Sequence, residues 1–415
     1  MIIENPAEFE SFLEKYKESD CIVIPILSDI NLHPLENTLC AVYIKLIDGD
    51  EYILPFNHGE SMNLDLSLFD KLNSQCKKYV YDRKQLNHIV KWDNVIDINL
   101  QYYMEYNKPL STEDISTNSH DYFSRKYYKS KNINRVIPLL KHLELCRKLS
   151  NEYQKYIDLE VHQEYNDEII DNLTYIESAG LRHDDKMVYS EYNPYTSTGR
   201  PSNRFGGMNF AALNKSDESR KPFKSRFENG MLVEFDYDAY HLRLIGKLLN
   251  YSFPSGSVHE HMSKFYGCDY QESKNLSFRY LYGHIPQEVI QINPFFGKVH
   301  DYINKIWKLY KNQKFIQSDI YSKKIHRKNQ ADMNRNKIFN YMIQLMETEN
   351  NMKILTNLIP FMASYKSKLI LYSYDSFLFD FNLEDGVEFL KDVKKIIESN
   401  GLFPTKTSKG TNYHE

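Results

Sequence analysis

Apolar residues early in the chain fall in short runs. Between residues 21 and 56 the runs CIVIPILS, NTLCAVYIKLI and EYILPF predict three strands, divided by DINLHPLE and by the turn Asp48-Gly49-Asp50. The period then changes. Helix-spaced segments near residues 66–76 and 82–90 flank the short run KKYVY, DINLQYYMEY follows, and together they predict an α/β domain over residues 1–145. Residues 111–132, STEDISTNSHDYFSRKYYKSKN, have no apolar period and read as a loop or insertion. Residues 146–180 read as helical and stop at Gly180, which is well placed as a C-cap. Further on, MLVEFDYDAYHLRLIGKLL (231–249) joins a strand to a helix, and LILYSYDSFLFDF (369–381) reads as a hairpin with Phe377, Phe379 and Phe381 alternating.

The chain has 415 residues, 41% of them hydrophobic, which suits two or three domains with substantial cores. Its five cysteines, Cys21, Cys40, Cys76, Cys146 and Cys268, form no CxxC pair, so neither a disulfide framework nor a zinc site is expected. A reducing cytoplasm fits them. No apolar run reaches the roughly 18 residues of a membrane span, and the start MIIENPAEFE lacks the order of a signal peptide. The net charge of −4 does not announce a nucleic-acid binder, so any such surface must be local. Basic patches occur at residues 125–132, 215–226 and 323–337, the first two interleaved with aromatics as a stacking surface for bases would be. Taken singly, each patch is equally well a solvated loop.

Three constellations carry candidate chemistry. Asp236 sits where a strand gives way to a helix, a position rigid enough to hold a hard cation and equally suited to a helix N-cap. Asp375 sits at a hairpin tip, where turns favour aspartate on conformational grounds alone. As a pair, two strand-edge carboxylates suit the two Mg²⁺ ions, about 3.5 to 4 Å apart, that clamp attacking and leaving oxygens in phosphoryl transfer. In SKNLSFRYLYG (273–283), Lys274, Phe278 and Tyr282 fall at i, i+4 and i+8 on one helix face. An aromatic stripe is usually core, but a lysine in line with it matches a nucleoside triphosphate: phosphates for the cation, base and sugar for the rings.

These segments, in this order, resemble motifs A, B and C of the polymerase I-like (family A) DNA polymerases. Motif A, roughly DYSxIELR, is DYDAYHLR at 236–243; motif B, KxxNFGxxYG, is KNLSFRYLYG at 274–283; motif C, centred on HDE, is Tyr374-Asp375-Ser376. Thr198-Gly199-Arg200 resembles the TGR signature, and Asn340-Tyr341-Met342-Ile343-Gln344 the NxPxQ helix. Phage-encoded members resemble TGRPSNRFGG and NKIFNYMIQLMETENN most.

The resemblance implies a template-directed DNA polymerase acting on a primed DNA template with dNTPs and two Mg²⁺ ions. Asp236, Asp375 and the Tyr237 carbonyl would hold the metals; Lys274 would bind the triphosphate and Phe278 would abut its sugar. Tyr282 would stack near the templating position, and Arg200, Arg243, Asn340 and Gln344 would touch DNA. The implied fold is α/β (α+β): a palm with an antiparallel sheet, helical fingers and a minimal thumb over residues 146–415, preceded by an RNase H-like exonuclease-type domain. Phage replication in the host cytoplasm, with a processivity factor or other replication proteins as partners, follows from the same resemblance.

The departures are specific. His241 replaces the motif A glutamate that helps exclude a ribose 2′-hydroxyl, so sugar discrimination is expected to be built differently. Tyr374 and Ser376 replace the histidine and glutamate of motif C. Tyr270 stands where the family carries a phosphate-binding arginine, with Arg279 or a basic residue of 323–337 as the expected substitute. Only residues 182–197 separate Gly180-Leu181 from TGR, hence the minimal thumb. In the amino-terminal domain the segments LHP (32–34) and DINL (97–100) resemble the proofreading exonuclease. The expected catalytic acids then fall at Ile26, Ser28 and near Leu86, leaving Asp29 and Asp97 as unpromising remnants. Two other readings stand beside the polymerase: a decayed polymerase kept as a nucleic-acid-binding scaffold, and an RNA polymerase or primase suggested by His241.

Overall fold

A computed structural model describes residues 1–112, 132–160, 162–203, 208–213, 217–326 and 333–413. The expected loop at 111–132 and the basic patch at 125–132 therefore lie almost wholly outside the described residues, as do 204–207, 214–216 and 327–332 of other expected segments. The chain divides into two compact units, Met1–Thr174 and Tyr175–Glu415.

In the first unit the strands are β1 (Cys21–Leu27), β2 (Leu39–Leu46), β3 (Glu51–Pro55), β4 (Lys78–Val80) and β5 (Val95–Asp97), in the order β3-β2-β1-β4-β5. The β1–β2 and β2–β3 pairs are antiparallel, whereas β1–β4 and β4–β5 are parallel. This is the expected RNase H-like layout. Alternation along the strands feeds two cores. Val23, Val42, Ile44 and Leu54 pack with Phe9 and Phe12 of the helix Pro6–Tyr16. On the other face, Ile26, Tyr43 and Ile53 meet Leu139 and Cys146 of the helix Leu139–Tyr153. The expected boundary at 145 lies inside that helix, which is tied to the sheet through Tyr43 Oη to Ser150 Oγ at 3.1 Å and Lys45 Nζ to Asn151 Oδ1 at 2.7 Å.

The remnant acids of this unit serve its backbone. Asp97 is fully buried as N-cap of the helix Ile98–Tyr106 and accepts the N–H groups of Arg83 and Leu100. Asp29 accepts those of Asn31 and Asn132. Ile26, Ser28 and Leu86 are buried, and Ser28 Oγ is matched to Thr38 Oγ1 at 2.8 Å.

The second unit begins within the helix Gln163–Ala179, which Gly180, at φ +61°, closes as expected. Between that helix and Thr198 lie only the hairpin of β6 (Leu181–His183) and β7 (Lys186–Val188) and a loop bridged from Asn193 to Ser202. No helix stands there, in keeping with a minimal thumb. β8 (Phe223–Lys224) pairs with β6. The main sheet is antiparallel, built from β9 (Met231–Tyr237), β12 (Lys368–Ser373), β13 (Ser376–Phe381) and β14 (Thr405–Gly410) in the order β12-β13-β9-β14; β10 (Phe315–Gln317) and β11 (Lys324–His326) form a separate hairpin. The helices Tyr240–Leu248, Val258–Tyr266, Tyr270–Tyr282 and Pro294–Asn312 share one apolar core with the start of the long helix Arg335–Met362. This is the sheet-plus-helices arrangement of a palm and fingers.

Candidate active site

Two strand ends fix the carboxylates. In register, Asp236 of β9 faces Ser376 of β13 on one side and Lys406 of β14 on the other. The Tyr237 N–H donates to the Asp375 carbonyl at 2.9 Å, locking the two aspartate-bearing segments together. The Tyr237 side chain leaves the surface. Its ring stacks on Tyr240 at 4.0 Å and its hydroxyl donates to the Ile397 carbonyl at 2.8 Å, so only its backbone borders the site. At the hairpin tip Tyr374 takes φ +60°, a conformation rare for a bulky residue. It is held from both sides: Asn351 Nδ2 donates to the Tyr374 carbonyl at 2.7 Å, and the Arg200 guanidinium lies 3.7 Å over the Tyr374 ring.

The helix Tyr270–Tyr282 starts at an Asp269 N-cap that accepts the Glu272 N–H, and carries Lys274, Phe278 and Tyr282 on one face as expected. The rings of Phe278 and Tyr282 are parallel within 5° at 6.1 Å. Gly283 ends this helix, and a Cβ there would come within 2.7 Å of the Arg279 carbonyl oxygen. Only glycine fits that approach.

One cavity of about 720 Å³ gathers these groups: Asp236, Asp375 and Tyr237; His241; Lys274, Phe278 and Tyr282; and Arg200, Asn340 and Gln344. Of the expected site residues, Arg243 is the one that lies elsewhere. Its Nε donates to the Asp238 carbonyl at 2.9 Å and its Nη2 to the Gly256 carbonyl at 3.1 Å, beside a neighbouring cavity of about 790 Å³. Asn340 Nδ2 donates to the Tyr282 carbonyl at 3.2 Å, and Gln344 Oε1 accepts from Thr198 at 3.2 Å. Gly199 takes φ +74° in the turn that presents Arg200.

Sequence reasoning missed three residues here, one buried behind the cavity and two lining it. Glu347, with no solvent exposure, extends the face of Asn340 and Gln344 by one turn. Its Oε2 lies 2.8 Å from Arg200 Nε and its Oε1 lies 3.2 Å from His241 Nε2. His241 Nδ1 meets the Tyr282 hydroxyl. Burial raises the Tyr282 phenol above its ordinary range, so the hydroxyl stays protonated. The acid absent from position 241 thus reappears in space from another helix. Lys406 is the second; its Nζ lies 3.0 Å from Asp238 Oδ1 and 3.1 Å from Tyr270 Oη. His259 is the third, packed edge-on to Tyr270, with burial first and the lysines Lys274 and Lys406 after it pressing its pKa down to about 4.

Electrostatically the site is short of cations deep inside. Burial, then Glu347, raises the Asp375 carboxyl above its ordinary range, while Arg200 and His241 oppose the shift. Asp236 and Asp375 both line this cavity, and carboxylates are the kind of ligand a hard divalent cation takes. In the second basic patch, Arg226 pairs with the buried Asp380 at 2.7 Å and Arg220 lies 4.2 Å over Tyr413. Of the third, Lys323 is buried with Glu349 as its counter-charge.

No family model matches the chain, and no curated protein does. Among solved structures it is similar to the POL domain of Pol1 from M. smegmatis, in complex with DNA primer-template and dNTP. The TM-score is 0.75 at 13% sequence identity, covering 100% of this chain and 99% of that one. The chain therefore shares the fold of that POL domain over its whole length.

Proposed function

We propose that the protein is a template-directed DNA polymerase that adds deoxynucleotides to a primer 3′ end in phage replication, without proofreading. The observation that carries this reading is the single cavity in which motif-like residues from five separated segments converge. Asp236, Asp375 and the Tyr237 carbonyl would hold two Mg²⁺ ions, and Glu347 makes their neighbourhood more favourable to cations. When bound, such ions activate the attacking hydroxyl and neutralise the departing phosphate. The chain's own groups position the reactants. Lys274 attracts the triphosphate, the parallel rings of Phe278 and Tyr282 border sugar and base, and Arg200, Asn340 and Gln344 face the duplex. The absence of proofreading rests on the first unit, where buried Ile26, Ser28 and Leu86 occupy the positions of the expected acids.

Primer extension on a primed DNA template with Mg²⁺, dNTPs and rNTPs in separate tubes, tests the reading. Extension with dNTPs that Asp236→Ala and Asp375→Ala each reduce by at least about a thousandfold is the expected result. Extension surviving both substitutions would sink it. Salt-sensitive DNA binding without incorporation would favour the scaffold, and extension with rNTPs alone an RNA-synthesising enzyme.

A further inference from the structure

The polymerase reading leaves one cation unassigned. Tyr270 stands four residues before Lys274, where the resembled family carries an arginine for the triphosphate. Among the described residues, neither Arg279 nor any residue of 323–337 lines the cavity. Arg279 lies 5.5 Å over the Tyr280 ring and does not line the cavity, and Lys323 is fully buried. Residues 327–332 lie outside the described residues.

We propose that Lys406, carried by β14 rather than by the helix, is the second polyphosphate-binding cation of the site, taking the phosphates of an incoming nucleotide or of released pyrophosphate together with Lys274. The proposal rests on the polymerase reading for its ligand. Lys406 pairs in register with Asp236, so both side chains leave the same face of the sheet. Its Nζ reaches the Tyr270 hydroxyl at 3.1 Å, the spot above the first helical turn that a residue-270 arginine would command. The side chain lines this cavity and the neighbouring one and is 65% exposed, so the ammonium is not locked in the interior.

Its present partner can release it. Asp238 Oδ1 lies 3.0 Å from Lys406 while Asp238 Oδ2 lies 3.3 Å from Arg243 Nη2, so the carboxylate keeps a cation when the lysine turns to phosphate. A compact ammonium on a flexible stem suits such a transfer. His259, between Tyr270 and Phe278, is held neutral by burial, which leaves the lysines to supply the charge there. A duller role for Lys406 is to guard an edge strand against pairing. Lys409 on the same strand fits that role, lining a separate shallow recess; Lys406 bends over the site instead.

The test measures binding of inorganic tripolyphosphate to the full chain by calorimetry, beside steady-state dNTP kinetics. Lys406→Ala is expected to weaken tripolyphosphate and raise the dNTP KM by about tenfold, with kcat changed much less. Lys406→Arg should stay near wild type. In the decisive arm, Tyr270→Arg added to Lys406→Ala restores most of the lost affinity, because it returns the cation from the helix side. Thermal melting confirms that each variant is folded. Unchanged tripolyphosphate affinity in folded Lys406→Ala, or no recovery on adding Tyr270→Arg, overturns the proposal. The two readings fail separately: Lys406-dependent binding without primer extension keeps the phosphate site and loses the polymerase, whereas extension indifferent to Lys406 does the reverse.

Discussion

At the scale of single residues, the cluster of Glu347, His241, Arg200 and Tyr282 makes the sharpest demand. Glu347 has no exposure and lies within ion-pair distance of both Arg200 and His241. Returning the family's acid with His241→Glu would set two carboxylates side by side in a buried pocket, a cost of about 3 to 5 kcal/mol unless one is protonated. His241→Glu is therefore expected to lower both stability and dNTP incorporation, and adding Glu347→Gln in the same chain should recover much of each. A double-mutant cycle with additive effects would contradict the coupling. The aspartates were legible in the sequence because strand, turn and acid are contiguous in 231–237 and 369–381. Glu347 was legible only in part: Asn340, Gln344, Glu347 and Asn351 recur on one helical face, but nothing local says which side chains that face meets. Lys406 was not legible, since TKTSKG has no apolar period and its pairing with β9 spans most of the unit.

At the scale of elements, apolar periodicity predicted most strands and helices and erred where polar side chains took over the backbone. The helix expected near 66–76 shrinks to Ser67–Asp70, because Asn73 turns away to exchange hydrogen bonds with Asp93 at 2.9 and 3.0 Å. The same habit makes Asp97 a cap where the resemblance suggested a remnant ligand. Burial first, and Asp82 second, push its carboxyl up to about 7 from an ordinary 3.8. The folded state thus holds this proton more tightly than the unfolded chain. The resulting stabilisation is complete below pH 3.8, is lost as pH rises through about 7, and is flat beyond. Urea denaturation followed by Trp92 fluorescence, in a Trp307→Phe background, should show the first unit losing on the order of 2 kcal/mol between pH 5 and pH 8. Asp97→Asn should flatten that difference. An equal pH dependence in the variant would mean that Asp97 is not the group responsible.

At the scale of the whole molecule, the fold of a polymerase domain persists at 13% identity because it needs only the pattern of apolar positions, the turns and a few site residues. No helix stands between Ala179 and Thr198. The net charge of −4 gives no general attraction to DNA in compensation. Grip on a duplex must then come from local cations, whose phosphate contacts are displaced by salt with a steep dependence. Extension by the isolated chain is accordingly expected to be distributive. When a primed template is pre-bound and dNTPs are added with an excess of trap DNA, most primers should gain only a few nucleotides, and fewer as salt rises through about 0.1 M. Long products under trap at that salt would mean that other parts of the chain do the work of a thumb. Short products that lengthen when host or phage replication proteins are added would instead place processivity in a partner.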